Sequence, residues 1–321
     1  MNLLKVKNLN IHFKTKKGLV HAVRNVSFDV EKSETLGIVG ESGCGKSITS
    51  MAIMGLLDDN AVVTADELSF DGVDLQGLNE KSWQKIRGGE ISMIFQDAMS
   101  SLNPCYTVEN QIEEVLKIHN PTMTKPDRKN RVEKLLTLVG IPAPKERMKS
   151  YPHELSGGMA QRVMIAMAIA SDPKLLIADE PTTALDVTVQ QQILDLLIEI
   201  QKETGMAVIF ISHDLAVVKD FTRTLQVMYA GEVIEKGPTE DVIALPRHPY
   251  TFGLLQSIPS FANDIDAPLY SIKGMVPDLA GRPTGCQFKE RCEYSSNECN
   301  HLPKLIIHND RSLKCIHPLN N

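Results

Sequence analysis

The stretch GESGCGKS at residues 40–47 sets three glycines, a lysine and a serine in the pattern G-x-x-x-x-G-K-S. Each residue type has a physical use there. Gly40, Gly43 and Gly45 permit backbone angles that let successive N–H groups wrap a phosphate. A helix opening near Lys46 points its positive end at the same anion. Lys46 supplies a point charge to the outer phosphates, and the Ser47 hydroxyl a ligand for Mg²⁺. LLIADEP at 175–181 supplies a second half. Asp179 would hold Mg²⁺ through water, and Glu180 would polarise an attacking water. An acidic pair by itself caps many loops, and a glycine turn opens many ordinary helices. The two together, each beside an apolar run, point to phosphoryl transfer to water. A third group is C-x₅-C-x₆-C-x₁₅-C, formed by Cys286, Cys292, Cys299 and Cys315. Four thiolates complete either a tetrahedral zinc site or a [4Fe–4S] cluster. Structural zinc favours tight pairs, and neither short spacing is tight, so the spacing suits a bulkier cluster; zinc, free thiols and disulfides stay open. Cys44 lies in the glycine loop, where its backbone matters more than its thiol. Cys105 reads as a small buried residue.

These groups need elements to hold them. The apolar runs TLGIVG (35–40), EISMIFQ (90–96), KLLIADE (174–180) and MAVIFIS (206–212) read as strands buried on both faces. Residues 186–205 read as a helix between the last two strands, closed by Gly205. Strand–helix–strand order predicts an α/β fold with a parallel sheet. Between Gln96 and Ser156 the pattern changes to amphipathic helices, VENQIEEVLKIHN and DRKNRVEKLLTLVGI, around the proline-marked loop NPTMTKP. After about residue 240 come several prolines and then the cysteines, which suggests a small appended domain.

Composition sets the frame. With 321 residues, 42% hydrophobic and 23% charged, the chain has ample core. A net charge of −6 gives no reason to expect nucleic acid as a partner. No apolar run approaches the roughly 18 to 20 residues that span a bilayer. The start MNLLKVKNLNIHFKTKK has neither an apolar signal core nor a cleavage site. The expectation is a soluble cytosolic chain whose six cysteines are thiols or metal ligands rather than disulfides.

The order of motifs resembles the ATP-binding cassette family. LSGGMAQR (155–162) matches that family's signature motif, MIFQD (93–97) its Q-loop, TTALD (182–186) its D-loop and ISHD (211–214) its switch-histidine loop. The likeness covers about residues 1–240. It implies a P-loop cassette with a parallel core sheet and an antiparallel N-terminal β part. A RecA-like catalytic core would span 1–97 and 161–240, a helical subdomain with the signature 98–160, and a C-terminal domain with the cysteine cluster 241–321. It also implies roles. Gly40, Glu41, Ser42, Gly43, Cys44, Gly45, Lys46, Ser47 and Ile48 would line ATP, with Phe13 stacking on adenine. Gln96 would ligate Mg²⁺ or water and His213 would contact the γ-phosphate, so that Glu180, His213, Lys46 and Gln96 form the catalytic set. Ser156, Gly157, Gly158 and Met159 would close over ATP held by a partner cassette, and Asp186 would bridge the two sites. A helix start with a capping serine explains Ser156 but not the two glycines after it.

FQDAMSSLNPCYTV, YPHELSGGMAQRVMIAMAIA, DEPTTALDVTVQQQI and PRHPYTFGLLQSIP (246–259) resemble the ATPases of bacterial dipeptide and oligopeptide importers, nearest their D-type subunits. That likeness implies a peripheral ATPase on the cytoplasmic face of the bacterial inner membrane. It would pair as a heterodimer with a second, paralogous ATPase, dock on two transmembrane permease subunits and serve a substrate-binding protein indirectly. It also implies ATP, Mg²⁺ and a [4Fe–4S] cluster on the four C-terminal cysteines, with Zn²⁺ as the alternative. Importers of nickel or another small solute share the group. A chromosome-maintenance ATPase would need a coiled-coil insertion, a translation-associated one usually two cassettes, and an exporter subunit fused membrane spans. Ala160 stands where relatives often carry a larger polar residue.

Overall fold

The computed structural model describes residues 2–16, 18–183, 185–258, 270–279 and 281–320. Ala184 of the 182–186 stretch, Pro259 at the end of 246–259, and Ala280 lie outside these. The fold comprises two compact units, Met1–Gly77 with Phe210–Asn321, and Leu78–Ile209.

The first unit begins with alternating apolar residues, which give β1 (Asn2–Thr15) and β2 (Gly18–Glu31), paired antiparallel with Phe13 opposite Val20. A fully apolar run then forms β3 (Thr35–Val39), buried beyond its first residue. It delivers the glycine loop to α1 (Lys46–Ile53). The strands β4 (Ala61–Thr64), β5 (Glu67–Phe70) and β6 (Val73–Asp74) complete a five-stranded antiparallel sheet of order β2-β1-β5-β6, with β4 also on β1.

The second unit holds α2 (Glu80–Ile86) and β7 (Ile91–Ile94), then a helical group. This group is α3 (Ala98–Ser101), α4 (Val108–His119), α5 (Lys125–Leu138), α6 (Pro144–Arg147) and α7 (Gly157–Ala168). Thr107 and Thr124 cap α4 and α5 through their hydroxyls, and Val108, Ile112, Leu116, Val132, Leu135 and Leu136 fill the space between helices. β8 (Leu175–Asp179) lies parallel to β7, Ile91 opposite Leu175, and is buried throughout. α8 (Val187–Thr204) starts at a capping Asp186 and stops where Gly205 turns left-handed at φ 66°, as its position in the sequence predicts.

The units divide inside β9 (Ala207–Ser212). The first unit resumes with α9 (Leu215–Phe221), β10 (Thr224–Tyr229) and β11 (Glu232–Pro238). It ends with α10 (Thr239–Ala244), α11 (Pro249–Gln256), β12 (Ile306–His308) and β13 (Arg311–Leu313). Within it the order is β12-β13-β11-β10-β3, with β10 parallel to β3 and the remaining pairs antiparallel. The parallel α/β core, antiparallel N-terminal sheet and helical insert are therefore present.

Residues 241–321 do not form a unit of their own, because β13 adds to β11, Leu313 opposite Glu235, and the carboxylate of Glu235 accepts hydrogen bonds from the His248 N–H and the Arg311 guanidinium. In the second unit α7 runs without a break from Gly157 to Ala168.

Candidate functional site

The expected site residues fall in both units. In the first, the loop between β3 and α1 turns on glycines with positive φ, at 155° for Gly40 and 102° for Gly45. A side chain at Gly40 would collide with the Met228 carbonyl oxygen, so close backbone approach demands glycine there as much as φ does. At Gly43 an added Cβ would meet nothing within 4 Å, so the crest of the loop faces open space. Lys46 is 4% exposed, and its Nζ donates to the carbonyls of Gly40 at 2.6 Å and Glu41 at 3.1 Å, tying the two ends of the loop together. Ser47 and Ile48, half-buried, follow it in the first turn of α1, and Ser42 is exposed. Cys44 is buried, which pushes its thiol pKa up, while its carbonyl accepts from Gly231 N–H at 2.9 Å. The backbone of this cysteine is what the loop uses. Phe13 is half-buried on β1, and His213 is exposed between β9 and α9, where Asp214 caps α9.

The second unit carries the acidic pair Asp179 and Glu180. β8 ends in Asp179, 5% exposed, and Glu180 leaves the strand at φ 47°, a left-handed conformation that costs a non-glycine residue about 1 kcal/mol. Two contacts hold its carboxylate: Gln96 Nε2 donates to Oε2 at 3.2 Å and Thr183 Oγ1 at 3.0 Å. Gln96 itself follows β7 and is exposed. Ser156 caps α7 by accepting from Met159 N–H at 3.3 Å, and Ser156 and Gly157 stand exposed at that helix start. A Cβ on Gly158 would lie 2.8 Å from Val189 Cγ1 of α8, so this glycine has a packing reason that periodicity could not reveal. Asp186 caps α8 by accepting from Val189 N–H at 3.0 Å and is exposed. Ala160 is fully buried, which explains why a small residue fits.

Within each unit the donors are of the kind magnesium takes, the Ser47 hydroxyl in the first and the Asp179 carboxylate in the second being hard oxygens, and the open crest at Gly43 suits a phosphate chain. The cysteine cluster is a correction. Among the described residues, no group of three or more His, Cys, Asp or Glu side chains is disposed to hold a metal ion, which removes both the iron–sulfur cluster and zinc on Cys286, Cys292, Cys299 and Cys315. All four are free thiols. Burial pushes Cys292 up to about 11 and Cys315 up to about 12, which favours the neutral thiol over the thiolate that ligation requires. Sequence spacing counts residues; it does not make donors converge. The segment is secured by other means: the Arg311–Glu235 ion pair at 2.6 Å, Lys314 N–H on the Ile234 carbonyl at 2.8 Å, and Phe288 packed edge-on against Tyr229 and Tyr250.

Two contacts on the phosphate loop, and one beside it, have no counterpart in the motif reading. Arg291 pairs with Glu41 through two bonds, Nη1 to Oε2 at 2.7 Å and Nη2 to Oε1 at 3.0 Å. Tyr250 Oη accepts from Glu41 N–H at 2.9 Å. Arg282 donates to the carbonyls of Ala230 and His21, beside the turn that receives Cys44. With its N–H and carboxylate so engaged, Glu41 is a brace of the loop.

A loop built to wrap an anion, and a strained glutamate steered by a glutamine, are what a phosphate-loop nucleotide hydrolase requires; the exposed Ser-Gly-Gly helix start narrows that class to cassette ATPases. The profile described as ABC transporter matches residues 23–183, half of the chain, and the protein belongs to that family as an ATP-hydrolysing subunit. A second profile, described as the C-terminal region of oligopeptide/dipeptide transporters, matches residues 234–299. The dipeptide transport ATP-binding protein DppD of Haemophilus influenzae is 51% identical over 321 residues, 100% of this chain and 97% of that protein. The oligopeptide transport ATP-binding protein OppD of Bacillus subtilis is 51% identical over 294 residues, 91% of this chain and 82% of that one. Among solved structures, the dimeric post-hydrolysis state of the cassette MJ0796 bound to ADP and Pi superposes with a TM-score of 0.65 at 28% identity, covering 74% of this chain and 98% of that one.

Proposed function

We propose that the protein energises a bacterial importer of dipeptides or oligopeptides by hydrolysing ATP on the cytoplasmic face of the inner membrane. The observation that carries this reading is that the likeness to peptide-transport ATPases runs the full length, including 234–299, which lies beyond the cassette. No helix among the described residues is long and apolar enough to cross a membrane. In this reading the peptide path belongs to separate permease chains. The ATPase would pair with a second, paralogous one and receive substrate indirectly from a binding protein.

In this reading the loop of residues 40–47 binds the phosphates, with Lys46 on the outer ones and Phe13 against the base. Ser47, Asp179 and Gln96 would hold Mg²⁺, which would offset phosphate charge. Glu180, oriented by Gln96 and Thr183, accepts a proton from water as its oxygen bonds to the γ-phosphorus, and the bond to the bridging oxygen breaks to leave ADP and phosphate. His213 orients that water. The start of α7, with Ser156, Gly157, Gly158 and Met159, closes on the nucleotide of the partner ATPase, and Asp186 bridges the two sites. Closure driven by ATP and reopening by product release is the motion handed to the permease.

The test is reconstitution. The full transporter in proteoliposomes should hydrolyse Mg-ATP faster when the binding protein carries a dipeptide, and accumulate that dipeptide. Stimulation by a nickel-loaded binding protein instead would overturn the peptide assignment, and tight association with DNA or ribosomes the transport one.

A further inference from the structure

Glu41 is held at all three of its polar groups. Its N–H donates to Tyr250 Oη, its carbonyl accepts from Lys46 Nζ, and its carboxylate takes the bidentate pair from Arg291. Arg291 is the residue before Cys292, and its side chain is only 7% exposed. Its guanidinium is fixed on every side: Nε donates to the Lys273 carbonyl at 2.9 Å, and the plane lies 5.8 Å from the centre of the Tyr229 ring and 5.9 Å from that of Phe288. Those anchors all belong to the first unit's C-terminal half. Glu41 is the one partner that belongs to the phosphate loop.

The electrostatics give the pair a purpose. A carboxylate in a loop that must bind a polyanion repels its ligand, and in a half-buried site little water is available to screen it. A bidentate guanidinium cancels that charge and fixes the side chain in one geometry. We propose that Arg291 is a positioning residue for ATP, acting through Glu41, so that the C-terminal segment sets the nucleotide affinity of the loop. This rests on the reading that residues 40–47 hold the phosphates. Arg291 touches no reacting atom. Its effect passes through one carboxylate, and removing that carboxylate should cancel it.

The test is a double-substitution cycle on the full-length chain, read as binding of a fluorescent ATP analogue with Mg²⁺. Arg291→Gln should weaken binding by about tenfold, because Glu41 is left charged and unpaired. Glu41→Gln completes the cycle, and adding it to Arg291→Gln should restore most of the affinity lost in Arg291→Gln. Arg291→Lys keeps the charge without the fork and should fall between; in the assembled transporter it should raise KM for ATP with little change in kcat. If Arg291→Gln binds as the parent does, or stays weak in the double variant, the inference fails, and it fails equally if Arg291→Lys leaves KM unmoved. Lys46→Ala separates the two claims. Loss of binding there with none in Arg291→Gln sinks only the brace, whereas retained binding in Lys46→Ala sinks the phosphate site itself.

Discussion

The phosphate loop and the start of α7 are both glycine-rich turns that open a helix, yet the chain treats them oppositely. The loop of residues 40–47 is secured by residues remote in sequence: Arg291 and Tyr250 on Glu41, Gly231 on Cys44, and the Met228 carbonyl packed against Gly40. The start of α7 has its own cap, Ser156 to Met159, and the nearby Val189, and otherwise faces solvent. One turn is finished within the chain. The other is held in shape but left open, as a surface completed by a second molecule would be.

The largest expected effect separates the two turns directly. Lys46→Ala should weaken Mg-ATP binding by the isolated chain about a hundredfold, since the proposed function sets this buried cation against the outer phosphates. Ser156→Arg should leave that binding within about twofold, because in the proposed function the nucleotide it closes on is held by a partner ATPase, yet lower ATP hydrolysis by the assembled transporter at least a hundredfold. Equilibrium binding and steady-state hydrolysis on both variants check this. Comparable losses of binding by the isolated chain in both would break the comparison.

The braced turn should also be the acid-sensitive one. His248 sits in its support, 1% exposed, with Nδ1 accepting from Tyr250 N–H at 3.0 Å, and burial lowers its pKa to about 3. The unfolded chain takes up this proton near pH 6.5 and the folded chain not until about pH 3. Across that window the unfolded state binds more protons, so folding stability falls with acid. Moving from pH 7 to pH 5 should cost about 2 kcal/mol from this histidine alone. His248→Asn keeps an acceptor for the Tyr250 N–H and removes the titration, so its melting temperature should depend less on pH over that range. Equal pH dependence in variant and parent would remove His248 from the account.

How much of this was legible in the sequence follows from what each residue answers to. The phosphate loop, the Asp179–Glu180 pair and Gly205 answer to local chemistry and local backbone angles, so short patterns reveal them. The helices at 108–119 and 125–138 show through their apolar spacing and threonine caps. The Arg291–Glu41 pair spans 250 residues, and no local signal marks it. The cysteines show the opposite failure. Their spacing suggested a metal, but ligation needs converging donors that can lose protons, and spacing carries neither property. The C-terminal segment reads as an appended domain because its prolines and thiols contrast with the cassette, while the β-pairing of Leu313 with Glu235 that ties it to its unit is a matter of register between residues 78 positions apart, which a linear reading does not show.

The smallest effect tests why the open turn has two glycines. If Gly158 serves close packing, the cost of filling it is steric and is borne by Val189. Val189 is the third residue of α8, and a β-branched side chain in a helix has one strongly preferred rotamer, so it gives way poorly. Gly158→Ala should therefore lower stability by about 1 kcal/mol, the overpacking penalty partly offset by alanine's better helix propensity. Val189→Ala opens the space, so the double variant should be more stable than the sum of the two single effects predicts, measured by chemical denaturation. Hydrolysis by the assembled transporter should then follow stability, recovering in the double variant. Should Gly158→Ala instead fold as stably as the parent while hydrolysis is lost, and stay lost with Val189→Ala, the glycine serves close backbone approach to a nucleotide and not packing against α8. The open turn would then owe both its glycines to the molecule that completes it, and the contrast with the internally braced loop would be sharper still.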